Sequence, residues 1–192
     1  GFFVAGNVQN SSKGYGSKDV WITRLDKDGK EYSQLILGGK GLDEVEKMIP
    51  TKDGGALLGI YSRSSEFRDS GSGIRTSESK SSSGSTATRN LSSATSTAIS
   101  QMPKASSNFG EGDYWIVKLD KNGKVEWEKN YGGKGDDHIR TLALTSTGYI
   151  IGGESRSERS GNKTVGTQEG TDLWLISLNE RGDEQWQKSY NF

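Results

Sequence analysis

The chain of 192 residues contains no cysteine, two prolines, one histidine and no long apolar run. The absence of cysteine excludes disulfides, thiolate metal sites and cysteine nucleophiles, and a single histidine excludes a metal site built from several histidines. Because no stretch approaches the roughly 18 apolar residues of a membrane-spanning helix, no transmembrane segment is predicted. Basic and acidic residues balance at 25 each, so we expect no nucleic-acid partner.

Glycine, by contrast, is abundant, with 27 residues, while apolar residues make up only 30% of the chain. Many glycines with few prolines are typical of short strands joined by tight turns. The sequence begins with glycine rather than methionine and opens directly on the apolar run GFFVAG, with no visible signal peptide. We therefore expect a processed chain or a fragment of a longer one.

One segment of the sequence occurs three times. It reads DVWITRLDKDGKEYSQLILGG from residue 19, DYWIVKLDKNGKVEWEKNYGG from residue 113 and DLWLISLNERGDEQWQKSYNF from residue 172. A further matching run precedes each copy (GFFVAGN, GALLGIY, GYIIGGE), which gives a repeating unit of about fifty residues. The aligned apolar positions, which we predict to form a repeated structural core, are Trp21, Trp115, Trp174, Leu25, Leu119, Leu178, Trp127 and Trp186.

Each unit is predicted to contain a β-hairpin. Its turn has the form Asp/Asn-x-x-Gly, in which the acidic or amide side chain bonds the turn backbone and glycine takes the left-handed position. The turn glycines are Gly29, Gly123 and Gly182. In the middle copy, alternation places Trp115 and Val117 on one face of the first strand and Tyr114 and Ile116 on the other, so both faces need covering.

The flanking runs add two strands to each hairpin, giving four short strands per unit. Four-stranded sheets stacked face to face predict an all-β fold of β-propeller blades, and a β-sandwich or a solenoid of the same repeat is the alternative. Three units are fewer than the 4–8 blades of a typical propeller. The fold class is therefore part of a larger propeller, whose open ends would be covered by additional blades of the same chain or by protein partners.

The stretch DYWIVKLDKNGKVEWEKNYGGKGDDHIRTLALTSTGYIIGGESRS resembles the SBBP-type repeats of bacterial secreted β-propellers. The resemblance covers nearly the whole chain outside residues 64–112. Two features depart from the pattern: Ser33 stands where the other units have Trp127 and Trp186, and the third unit lacks the Gly-Gly pair after the hairpin.

This resemblance implies a compartment and a role. Such repeats are frequent in surface and type IX-secreted proteins of Bacteroidota, so we expect a secreted protein or one on the outer membrane exterior. The implied role is a non-enzymatic binding scaffold that acts through protein–protein contacts in a secretion, adhesion or gliding-type complex. The alternatives are a carbohydrate-binding propeller lectin and a fragment of a propeller hydrolase or lyase. A lectin would show aromatics at equivalent loop positions, and Tyr15, Phe67 and Phe109 do not coincide across the units.

The repeat is interrupted once. We predict a partial blade and a blade repeat in residues 1–63, an insertion or linker within a blade in 64–112, and blade repeats with the last one truncated in 113–192. Nearly half of residues 69–108 are Ser or Thr and none is aromatic, which is too polar for a packed core. One interpretation is a mobile linker. The other is a partner-docking segment that uses Leu91, Ile99 and Met102, which fall at helix-like spacing.

Groups with catalytic chemistry are sparse. Asp137 could orient His138 as a general base, but no GxSxG motif supplies a nucleophile, and Glu44 occupies the position of His138 in the preceding unit. The LGGKG and YGGKG stretches lack the GK[ST] ending of a phosphate loop and are interpreted as turns. We therefore predict that the chain is not an enzyme and has neither catalytic residues nor a cofactor-binding site.

We expect a chain without a metal ion, and a chain that binds calcium is the less favoured alternative. The turn sequences Asp26-x-Asp28-Gly29 and Asp120-x-Asn122-Gly123 resemble the start of an oxygen-ligand loop, but the glutamate that would complete it is missing. The pair Asp136 and Asp137 is a second weak candidate for a metal site.

Overall fold

The computed structural model describes residues 1–64, 98–166 and 170–191. In these residues the chain forms twelve strands and no helix, which confirms the all-β class. The strands are β1 (Phe2–Gln9), β2 (Lys18–Leu25), β3 (Glu31–Gly38), β4 (Asp43–Pro50), β5 (Ala56–Ser62), β6 (Ala98–Pro103), β7 (Asp113–Leu119), β8 (Val125–Tyr131), β9 (Asp137–Leu144), β10 (Gly148–Ser155), β11 (Asp172–Asn179) and β12 (Glu184–Tyr190). Phe67, Leu91 and most of the Ser/Thr-rich stretch lie outside the described residues.

The strands form three four-stranded sheets. The first sheet has the order β1-β2-β3-β6, the middle sheet β4-β5-β7-β8 and the last sheet β9-β10-β11-β12. All pairings are antiparallel except that of β3 with β6. The middle sheet lies between the other two, and the three sheets do not close into a ring in the described part of the chain.

Part of the predicted insertion belongs to a sheet. Residues 98–103 pair in parallel with β3, so that Gln34 lies opposite Ile99 and Leu37 opposite Met102. Met102 packs toward the middle sheet, while Ile99 is on the opposite face and 38% exposed. The helix-like spacing of these two residues does not describe their structure, because the edge of β3 offers backbone hydrogen bonds to an extended segment.

The hairpin turns join β2 to β3, β7 to β8 and β11 to β12. The Asp120 carboxylate accepts hydrogen bonds from the backbone N–H groups of Asn122 and Lys124, at 2.8 and 2.9 Å. Gly123 follows with a φ of +84°, and Gly29 and Gly182 each have a φ of +82°. The side-chain acceptor and the left-handed glycine together reverse the chain, which sets the register of the following strand.

Two apolar clusters fill the junctions between the sheets, and β7 contributes to both. Trp115 and Val117 point toward the first sheet, and Tyr114 and Ile116 point toward the last sheet; all four are fully buried. The burial of the repeated core residues depends on the sheet to which each belongs. Trp115, Trp174, Leu119 and Leu178 are buried; Trp21, Leu25 and Trp127 are partly buried; Trp186 is exposed.

We predict that Trp174→Ala lowers the free energy of unfolding by about 3–5 kcal/mol, because the large side chain leaves a cavity between two sheets. Tyr32→Ala, which removes an exposed ring from β3, is the control and is expected to cost less than about 1 kcal/mol. Urea titration followed by circular dichroism measures both values. Equal losses in the two variants would contradict the burial of Trp174.

Candidate functional site

Asp136 and Asp137 are adjacent in sequence but make different contacts. Asp137 is fully buried, and its carboxylate accepts hydrogen bonds from Gly133 N and Ser157 Oγ, each at 2.7 Å, and from Ser155 Oγ. Asp136 Oδ1 accepts the hydroxyl proton of Tyr61 at 2.6 Å. Within residues 1–64, 98–166 and 170–191, no three histidine or carboxylate side chains are grouped so that they could hold a metal ion.

His138 lies on β9 beside the middle sheet. Its ring stacks on that of Tyr61, with centroids 4.0 Å apart and an interplanar angle of 3°. Its Nε2 atom is 3.2 Å from Glu46 Oε1 on β4, so its partner is Glu46 rather than Asp137. Arg140 extends this charged row, because its guanidinium lies near the carboxylates of both Glu46 and Glu154. The row joins the neighbouring strands β4 and β9.

A buried lysine anchors a polar network in the last sheet. The Lys163 ammonium donates to Ser155 Oγ at 2.7 Å and to the Ser157 carbonyl at 2.6 Å, and it lies 5.4 Å from the centroid of the Trp174 ring. The Ser155 hydroxyl donates in turn to Asp137. Burial lowers the pKa of Lys163 and raises that of Asp137, while their mutual attraction opposes both changes.

The middle sheet repeats this arrangement. The Lys104 ammonium donates to Ser62 Oγ at 2.9 Å and lies 5.6 Å from the centroid of the Trp115 ring. Ser62 Oγ and Ser64 Oγ both donate to Asp43, at 2.6 Å. Burial lowers the pKa of Lys104 to about 8, against the attraction of nearby carboxylates. These networks hold the buried lysine and aspartate side chains at the ends of the middle and last sheets.

The networks also hold the chain where it passes between sheets. Gly39 N donates to the Asp43 carboxylate at 2.7 Å, as Gly133 N does to Asp137. The last glycine of each GGKG segment donates to a serine hydroxyl, from Gly41 N to Ser64 Oγ and from Gly135 N to Ser157 Oγ, both at 2.9 Å. These N–H groups are therefore already bonded and are not free to bind a phosphate. A glycine is required at position 132, because a Cβ atom there would lie 2.1 Å from Asp113 Oδ1.

The first sheet lacks this network. Val8 and Asn10 occupy the positions of the two serines, and Lys13 is exposed, with its ammonium 6.0 Å from the centroid of the Trp21 ring. The lysine could not be found from sequence spacing, because it follows the second serine after 40 residues in the middle sheet and after 6 in the last. The repeated Ser-Arg-Ser at 62–64 and 155–157 is the signal by which the sequence could have indicated the network.

The two outer faces of the stack are the second candidate site. On the first sheet, Phe2 and Val4 are 59% and 51% exposed beside the partly buried Trp21. On the last sheet, Trp186 and Tyr190 are 39% and 44% exposed. These side chains form two apolar surfaces at opposite ends of the three-sheet stack, which is the type of surface that marks protein interaction sites.

No family model matches the chain, and no curated protein matches it significantly. In the described residues there is no helix of the length and hydropathy needed to cross a membrane. The two polar networks and the two outer faces are therefore the features of the chain that bear on its function.

We predict that the stability of the wild-type chain relative to Asp113→Asn rises as the pH falls from about 6 to about 4. Burial raises the pKa of Asp113 from 3.8 to about 6 in the folded chain. In this window the folded state holds a proton that the unfolded state releases, so acid favours folding at this site by on the order of 2 kcal/mol.

Urea titrations of both chains at pH 4, 5, 6 and 7 measure this difference. The nearly isosteric Asn keeps an oxygen to accept from Phe109 N and Asn130 Nδ2, as Asp113 Oδ2 does at 2.8 and 2.5 Å. A difference that stays constant over this range, or that grows with rising pH, would contradict the assignment.

Proposed function

We propose that the chain is a β-propeller scaffold that binds protein partners and catalyses no reaction. Three stacked four-stranded sheets support the propeller, because each sheet packs through its face on the next. The middle and last sheets share one antiparallel strand order, whereas the first sheet has the parallel strand β6 at one edge and no counterpart of β4 and β9 at the other. The resemblance to SBBP-type repeats supports a place on the exterior of a bacterial cell or in a secreted assembly for secretion, adhesion or gliding. Further blades would complete the ring, with β4 and β9 toward its centre.

The observation that carries this proposal is the contrast between inner and outer faces. Phe2 and Val4 occupy the strand positions that Tyr149 and Ile151 occupy in the last sheet, and Tyr149 and Ile151 are almost fully buried. Side chains of the same pattern are thus covered inside the stack and uncovered at its end. Exposed apolar surface of this kind is covered favourably by another protein surface.

The state of the reactive groups also favours a scaffold. Lys104, Lys163 and Asp137 are buried in hydrogen-bond networks that fix the sheet ends. His138 is held between the ring of Tyr61 and the carboxylate of Glu46. These groups are occupied by partners within the fold, so they position strands rather than meet a substrate.

Photo-crosslinking tests the proposal. A benzophenone amino acid placed at Phe2 or Tyr190 is expected to form adducts with a protein when the chain is irradiated in the cells that produce it. The control is the same probe at Phe109, which is exposed to a similar extent but lies in the loop before β7. Val4→Glu in the Phe2-probe chain should abolish the adduct, since a charge on that face opposes apolar contact.

The proposal is judged by which of the three probe positions forms adducts. Adducts at both outer faces and none at Phe109 are expected. Equal labelling from all three positions, or no protein adduct at either face, would contradict a function in protein binding through these faces.

A further inference from the structure

We propose that the side chains of Lys104 and Asn108 become joined by an amide bond, which the folded chain forms by itself. The Lys104 amine replaces the side-chain nitrogen of Asn108, and that nitrogen leaves as ammonia. The product is a covalent ring in the segment between β6 and β7. The reaction takes place once within one chain, so it modifies the scaffold and turns over no substrate.

The two groups that react are in contact in the folded chain. The Lys104 ammonium donates a hydrogen bond to Asn108 Oδ1, so its nitrogen touches the carboxamide whose carbon it attacks. Asn108 Nδ2 donates to the Ser62 carbonyl oxygen at 2.6 Å. Both ends of the carboxamide are therefore held, and the fold keeps the amine and its target together, which favours reaction between them.

The surroundings of Lys104 favour a neutral amine. Its side chain is completely buried, and its ammonium lies 5.6 Å from the centroid of the Trp115 ring. Desolvation lowers the pKa of Lys104 to about 8, although nearby carboxylates, that of Asp43 first, oppose this change. Only a neutral amine has the lone pair that attacks a carbonyl carbon, and a desolvated lysine supplies it.

A hydrogen-bond path leads the surplus proton away from the amine. Lys104 Nζ donates to Ser62 Oγ at 2.9 Å, and Ser62 Oγ donates in turn to Asp43 Oδ1 at 2.6 Å. A proton can pass along this path from the ammonium to the carboxylate, which acts as the general base. Asp43 also accepts from Gly39 N and Ser64 Oγ, so the position of its carboxylate is fixed.

The reaction balances without an outside reactant. The new bond joins Lys104 Nζ to Asn108 Cγ, and the bond that breaks is the one between Cγ and Nδ2 of Asn108. The attacking amine passes one proton to the departing nitrogen, which leaves as ammonia. The proton taken up by Asp43 is released to the ammonia, so that ammonium is the final product and no oxidant or reductant is needed.

The last sheet provides a comparison within the same molecule. Lys163 lies in a network of the same kind, where its ammonium donates to Ser155 Oγ at 2.7 Å. The carboxamide of Asn108 comes four residues after Lys104, whereas the fourth residue after Lys163 is a threonine, which has no carboxamide. We therefore expect the bond at Lys104 and an unmodified Lys163.

Mass spectrometry of the intact, denatured chain tests the proposal. The unmodified sequence, purified after folding, is expected to weigh one ammonia molecule less than its composition gives. Lys104→Arg keeps the positive charge but has no amine that can form the bond, so it should have its full calculated mass. Lys27→Arg is the matched control: it makes the same exchange at an exposed position and should still lose one ammonia.

A tryptic digest of the unmodified sequence locates the bond. Trypsin cuts after an unmodified lysine, so the chain should resist cleavage after Lys104 and be cut normally after Lys163. The expected product is one peptide of residues 90–118 that lacks one ammonia. This location is needed because Asn122, which precedes Gly123, can also lose ammonia by closing onto its own backbone. The digest decides the question even if Lys104→Arg does not fold.

Three results would overturn the proposal: a full mass for the unmodified sequence, a loss of ammonia that persists in Lys104→Arg, or complete cleavage after Lys104. Asn108 would then be only one of three acceptors around a buried ammonium, with Ser62 Oγ and the Ser64 carbonyl oxygen as the others. None of these results affects the proposed scaffold function, which rests on the outer faces.

Discussion

The absence of a polar face on β7 is the constraint on which the rest of the structure depends. Tyr114, Trp115, Ile116 and Val117 are all fully buried, although they point alternately to opposite sides of one sheet. A sheet built around such a strand is stable only when other apolar surfaces cover both of its sides. Stacking of like sheets meets this requirement for the middle sheet and leaves it unmet on one side of each end sheet. The outer faces are a consequence of the same pattern.

The polar networks supply hydrogen-bond partners for backbone groups that the stacking of the sheets places near an apolar interior. Sheets packed on both faces leave their strand ends and connecting segments close to an apolar interior, where an unpaired backbone N–H is costly. Asp137 accepts from Gly133 N and two serine hydroxyls, and Lys163 shares one of those hydroxyls while it lies over the ring of Trp174. The negative charge of Asp137, which holds the connecting segment, is thus neutralised by the nearby ammonium group of Lys163. The first sheet has no such network, and its tryptophan is only partly buried.

The sequence predicted the fold where the information is local. Alternation along β7 and the Asp-x-x-Gly turn at Asp120 indicated the hairpins and the need for cover on two sides. The parallel pairing of β6 with β3 could not be predicted, because it joins segments far apart in the chain and uses backbone rather than side-chain pattern. Gly132 indicated a turn, whereas its neighbour Asp113 requires its small size. The exposure of Trp186 depends on its position at an end of the stack, although its sequence context matches that of Trp127.

Hydroxyl-radical footprinting of the tryptophans tests the central claim most directly, namely that like sheets cover both sides of the middle sheet. If the claim holds, Trp186 is oxidised readily in the folded chain, whereas Trp115 and Trp174 are protected until the chain is unfolded in urea. Equal rates of oxidation of these three tryptophans in the folded chain would contradict it.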